Sequence, residues 1–184
     1  DSCIQAMVDY LSRCNANHGG VFITSEESDA IVAEAHEAMA DLLNAGSPAE
    51  IVFGQNMTSL TFALSRSLAH RIAPGDEIVL MAEEFPSNVL PWRRVAGERG
   101  ARLVTVPAPQ SGEEDWTRAI LARLSSATRV VAVSTCHWTD GAAVDLVAVG
   151  RACREAGATL VVDATQSLGA MPLALDEVRP DFLV

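Results

Sequence analysis

The chain has 184 residues, 49% of them hydrophobic and 20% charged, a profile that fits a globular protein able to bury a sizeable core. A formal net charge of −11 would repel a phosphate backbone or an anionic bilayer, so no nucleic-acid partner is expected. The longest apolar runs, such as RVVAV at 129–133, fall far short of the ~20 residues of a membrane span, so no membrane association is expected either.

Ile4, Met7, Val8 and Leu11 recur at helical spacing within CIQAMVDYLSRC (3–14), which predicts an amphipathic helix ended by the glycines of NANHGG (15–20). A second helix is predicted from Ser25, with Glu26 and Glu27 favouring its positive end, through Ile31, Ala35, Met39, Leu42 and Leu43 to a stop at Gly46 and Pro48. From residue 50 onward, strands and helices alternate. Runs rich in β-branched residues predict strands at 50–54, 76–81, 102–106, 129–133, 159–163 and 181–184. Helices are expected between them at about 57–71, 87–99, 115–124 and 145–156. Strands this apolar throughout suit an α/β fold, a mainly parallel sheet with helices on both faces. The expected organisation is a helical N-terminal segment over 1–20 and one α/β domain over 21–184, with PAPQSGEED (107–115) as a lid or plain connection. The chain starts at Asp1 and stops at Val184 inside an apolar run, so both ends are expected to be cuts and the sheet to be incomplete at its C-terminus.

Cys3, Cys14, Cys136 and Cys153 lie far apart with no CxxC pair, which suits reduced thiols in a cytoplasmic protein. His18, His36, His70 and His137 show no metal-ligand spacing, so no metal is expected. All thirteen basic residues are arginine. Without a lysine, these residues supply no amine for covalent catalysis.

In an open parallel sheet, ligands sit beyond the carboxyl ends of the strands, so the residues just after each strand are the ones to inspect. The first such stretch is GQNMTSL (54–60), where a helix starts near Met57 and its free N–H groups, with the Asn56, Thr58 and Ser59 side chains, could hold a phosphate; an ordinary cap by Asn56 or Thr58 is the plainer alternative. Phe85 in AEEFPSNVLPW (82–92) could stack on a planar ligand or belong to the core. His137 in STCHWTDG (134–141) could meet the same ligand or be a loop histidine with its bonds satisfied. Asp163 closes the run TLVVD, and Gln166 follows three residues later. Asp163 either caps the following turn or faces a cationic ring nitrogen, with Gln166 bonding to the same ligand. Phosphate loop, stacking aromatic and nitrogen-pairing acid together describe a pocket for a phosphorylated, planar, protonatable aromatic, pyridoxal 5'-phosphate.

These stretches, with NANHGG and VVDATQSLGAMPLALDEVRPDFLV (161–184), resemble in order and spacing the class V aminotransferases over close to the whole chain. That fold-type-I, pyridoxal-phosphate group includes cysteine desulfurases, selenocysteine lyases and kynureninases. The resemblance implies that residues 21–184 are the N-terminal part of a cofactor-binding large domain. It implies that Asp163 pairs with the pyridine nitrogen and Gln166 with the ring's phenolic oxygen. Phe85 falls on the stacking position, a histidine in desulfurases and a phenylalanine in kynureninases. Asn56, Met57 and Thr58 fall on the phosphate loop. NANHGGVFITSEESD and GQNMTSLTFALSR resemble a desulfurase-like subgroup, whereas Phe85 and CHWTDG, which stands where desulfurases have S-N-x-x-G, lean towards kynureninase, a C–C lyase. The Schiff-base lysine of the family follows shortly after the strand matching DFLV, so this chain is expected to stop before it and to be inactive alone. The resemblance further implies an amino-acid substrate and a homodimer when complete. Two other readings stand beside it. A nucleotide-dependent oxidoreductase would need a glycine-rich first turn that GQNMTSL does not provide, and a non-catalytic remnant is supported by the missing lysine.

Overall fold

The computed structural model describes residues 2–14, 23–110 and 115–184; NANHGG and the centre of PAPQSGEED lie outside the described residues. The chain forms two compact units, Asp1–Phe53 and Gly54–Val184.

In the first unit, helix α1 (Ser2–Asp9) runs into a π-helical turn (Tyr10–Cys14), and helix α2 spans Ile23–Leu43. Tyr10 Oη and the buried Ser28 Oγ lie 3.2 Å apart in a hydrogen bond that ties the turn to α2. The apolar stripe Ile4, Met7, Val8 and Leu11 is exposed. The strand expected at 50–54 is not formed. Ser47 caps a single 3-10 turn (Pro48–Glu50), and Val52 beyond it is 73% exposed. β-branched composition favours an extended backbone, but a strand also requires a partner ladder, and 51–53 have none among the described residues.

In the second unit, helix α3 (Met57–Leu68) precedes a βα alternation: β1 Glu77–Met81, α4 Pro86–Arg99, β2 Arg102–Val106, α5 Trp116–Leu121, β3 Thr128–Ser134, α6 Leu146–Ala156, β4 Thr159–Asp163, α7 Leu175–Val178 and β5 Phe182–Leu183. All pairings are parallel, in the order β2-β1-β3-β4-β5. The two-residue period of a strand divides the apolar side chains between two cores. Ile78, Leu80, Val130, Ala132 and Val161 pack with Leu68, Trp92 and Val95, on the face covered by α3 and α4. Val79, Met81, Val131, Val133, Leu160 and Val162 pack with Trp116, Ile120, Val149 and Cys153, on the face covered by α5 and α6. Burial on both sides is why these strands are apolar without alternation.

At Gly150 in α6, a Cβ would lie 2.2 Å from the carbonyl oxygen of Val178, an oxygen that also accepts from Arg154 at 3.0 Å. Glycine is therefore what lets α6 approach the end of α7.

The strand order fixes where a ligand can enter. The chain leaves β1 towards β2 on one side and returns to β3 on the other. Connections leaving β1 and β3 diverge, and a crevice opens between them at the carboxyl edge of the sheet.

Candidate functional site

That edge holds a cleft of about 200 Å3 lined by residues from the starts of α3 and α4 and from the ends of β3 and β4. A second depression, of about 240 Å3, lies against the ends of β1 and β2 and the start of α4, where Leu80, Met81, Val89 and Leu90 share the lining with Glu83, Glu84 and Thr105. The first has the polar set that a specific ligand needs.

Strand parity places its central acid. Val161 faces α3 and α4 and Val162 faces away, so Asp163 projects again on the α3/α4 side. Ser134 is its register partner on β3 and projects likewise. Asp163 is only 5% exposed. Its Oδ1 accepts the Thr165 N–H at 2.9 Å, while Oδ2 has no hydrogen-bond partner among the described residues. With one oxygen engaged and the other without a protein partner, this carboxylate can accept from a cationic or donor group in the cleft.

Also lining the cleft, Asn56 caps α3 by accepting the Ser59 N–H on Oδ1 at 2.9 Å. The N–H groups of Met57 and Thr58 open the first turn, where a helix has no internal acceptors to offer. Thr58 Oγ1 bonds to Ser87 Oγ at 2.6 Å, which joins the starts of α3 and α4. Two helix N-termini and two hydroxyls thus converge on one spot suited to an anion.

Phe85 lines the same cleft, 43% exposed, with Trp138 edge-on at a centroid distance of 5.5 Å and an angle of 88°. Three side chains from the β3 side hold the turn that carries it. Ser134 Oγ donates to Glu84 Oε2 at 2.7 Å, His137 Nε2 bonds to the Ala82 carbonyl at 3.0 Å, and the Trp138 indole N–H donates to the Glu83 carbonyl at 2.6 Å. The other Glu84 oxygen accepts the Phe85 N–H at 2.8 Å. Glu83 sits in the left-handed region at φ 54°, unusual for a residue with a side chain, and these bonds help to hold it there.

Six of the seven sequence-predicted residues line this cleft: Asn56, Met57, Thr58, Phe85, Asp163 and Gln166. His137 does not. It is 2% exposed and stacks on Trp116 at 4.8 Å, on the α5 side of the sheet. Because the Ala82 carbonyl only accepts, Nε2 carries the proton in the neutral ring, and Nδ1 accepts from Thr139 Oγ1 at 2.8 Å. The physical reason is the small hairpin after β3, with Cys136 bridged to Ala143 and the His137 N–H bonded to the Ala142 carbonyl. A turn closed by the Gly141 N–H on the His137 carbonyl at 2.8 Å follows at once, with His137 turned inward against Trp116 and Trp138, on the turn, lining the cleft. Glu84, Ser87, Ser134, Trp138 and Thr165 also line it, although the sequence reading did not select them. Parity from the apolar strand would have selected Ser134, the counterpart of Asp163.

Comparisons with known proteins agree with this architecture. The family description "Aminotransferase class-V" matches residues 1–184. A probable cysteine desulfurase of Pyrococcus abyssi is 32% identical over 181 residues, covering 98% of this chain and 44% of the relative. One from Methanothermobacter thermautotrophicus is 33% identical over 180 residues, covering 97% of this chain and 44% of the relative. The apo cysteine desulfurase of Thermococcus onnurineus NA1 superposes with a TM-score of 0.88 at 28% identity, covering 98% of this chain and 44% of that one. The chain therefore spans less than half the length of the relatives it matches.

Proposed function

The chain belongs to the class-V aminotransferase family, and from that premise we propose that it forms the cofactor-binding half-site of a pyridoxal-phosphate enzyme of cysteine desulfurase type, acting on an amino acid. The single observation that carries the reading is that the buried Asp163 carboxylate, whose Oδ2 has no partner among the described residues, lines the same cleft as the helix starts at Met57 and Ser87. The donor set fits the cofactor at three points: acid, half-exposed phenyl ring, and paired helix starts.

When bound, pyridoxal phosphate supplies an electron sink for the bond broken at the amino-acid α-carbon. Asp163 holds a proton on the ring nitrogen, because a buried carboxylate stabilises the cationic form beside it. Met57 and Thr58 bind the phosphate through backbone N–H groups, and Asn56 keeps that first turn in shape. Phe85 would orient the ring by stacking on it. Gln166, which lines the same cleft, would hydrogen-bond to the ring's phenolic oxygen. His137, assigned to the cofactor by sequence, acts on it only through the Ala82–Phe85 turn.

With no lysine among the 184 residues, no amine for covalent attachment comes from this chain, and we take the chain by itself to be inert. The complete enzyme is read as a cytoplasmic homodimer. A second reading, a C–C lyase of kynureninase type, is favoured by the Phe85–Trp138 pair, two aromatic rings in edge contact that both line the cleft. Among the described residues no helix is long and apolar enough to cross a membrane.

The test is an intact-mass measurement on the full-length protein after incubation with pyridoxal 5'-phosphate and borohydride reduction. One covalent adduct and a visible absorbance band are the expected result. No band and no adduct would refute the reading. Product analysis with cysteine and with kynurenine then separates desulfurase from C–C lyase.

A further inference from the structure

We propose that Trp138 is a positioning residue for the cofactor, acting through Phe85; the proposal rests on the reading that the cleft takes pyridoxal phosphate with Phe85 stacked on its ring. The observation behind it is a clamp. Ala82, Glu83 and Glu84 are consecutive, and each is bonded by a different side chain from the β3 end: His137, Trp138 and Ser134. Phe85 is the next residue, and its own N–H is taken by Glu84. A turn held at three successive residues has little freedom to rotate the ring that follows.

Trp138 differs from the other two. His137 and Ser134 are buried and serve the packing of the turn. Trp138 is 47% exposed and lines the cleft, so neither core packing nor burial explains why its indole N–H reaches the Glu83 carbonyl. Its second contact is the edge-on one with the Phe85 ring. The bond to Glu83 holds the indole, and its edge contact favours one orientation of the Phe85 ring. A ring fixed before the ligand arrives loses less conformational freedom on binding, which raises affinity without adding a contact.

The two links can be separated by substitution. Trp138→Phe keeps an aromatic ring against Phe85 and removes the N–H donation; Trp138→Leu removes both. The exposure of residue 138 makes either change tolerable to the fold. In the full-length protein, pyridoxal 5'-phosphate affinity is measured by absorbance titration, and the pose of the bound ring by the intensity of its visible circular-dichroism band. Trp138→Phe is expected to weaken affinity roughly three- to tenfold, as for loss of one ordinary hydrogen bond, and to lower the dichroic band per bound cofactor. Trp138→Leu is expected to do more. In a Phe85→Ala background the Trp138→Phe penalty is expected to vanish, because the two residues act in series. Unchanged affinity and band in Trp138→Phe, or a penalty that persists in Phe85→Ala, would overturn the proposal. A wild-type protein that binds no cofactor would instead overturn the functional reading on which it rests.

Discussion

Replacing Asp163 by asparagine isolates charge from architecture. The carboxylate does two jobs that reside on different oxygens: Oδ1 accepts the Thr165 N–H at 2.9 Å, and Oδ2 has no partner among the described residues. An asparagine amide oxygen can still accept from Thr165, so the turn after β4 and the strand pairing of Asp163 with Ser134 should survive. What is lost, on the proposed function, is the anionic partner of the ring nitrogen. A hydrogen bond to a charged group is worth about 1.5–3 kcal/mol, and each 1.4 kcal/mol is tenfold in affinity, so pyridoxal-phosphate binding should weaken by about 10- to 150-fold. Asp163→Ala should lose this and the Thr165 acceptor as well, with about 0.5–1.5 kcal/mol less folding stability than Asp163→Asn. Absorbance titration of the full-length variants gives the first number and urea denaturation the second. An Asp163→Asn protein that binds the cofactor within twofold of wild type would refute the assignment of the acid to the ring nitrogen.

Asn56→Ala removes the α3 cap and should cost about 1 kcal/mol of stability by denaturant unfolding, together with a loss of affinity for inorganic phosphate. Gly150→Ala should destabilise by about 1–3 kcal/mol, because the new methyl meets the Val178 carbonyl oxygen at 2.2 Å and backbone must move; a variant as stable as wild type would contradict the close approach of α6 to α7. Cys153 is buried, and burial with the Asp181 carboxylate nearby pushes its thiol up to about 12. In the unfolded chain the same thiol ionises near 9, so the unfolded state binds fewer protons above that pH, and stability should fall between about 9 and 12 by up to ~1.4 kcal/mol per pH unit. Cys153→Ser should flatten that fall. Native protein at pH 8 should alkylate at the exposed Cys3 and leave Cys153 unmodified by mass spectrometry.

Much of the second unit was legible because each strand is a short apolar run followed by a chemically distinctive residue. Asp163 after TLVV and Phe85 after the second predicted strand stood out for that reason. EIVFG misled because composition reports a preference for extended backbone, while a strand is a pairing that depends on residues elsewhere. His137 misled in another way: imidazole chemistry drew attention to it, but which neighbour faces the cleft is decided by the hairpin Cys136–Ala143. The clamp itself joins residues about 50 positions apart, Glu84 to Ser134 and Glu83 to Trp138. No local pattern encodes such pairs. They follow from β1 and β3 being neighbours, which the strand order alone establishes.

The unequal burial of the tryptophans gives this protein an optical gauge of its own. Of the three, Trp92 and Trp116 are sealed in the two cores, and Trp138 stands half in solvent at the cleft. Sealed indoles emit towards the blue and a wetted one towards the red, so the long-wavelength edge of the fluorescence belongs mainly to Trp138. A planar absorber entering the cleft should quench that edge and leave the blue side as an internal reference, so occupancy can be followed without any added label.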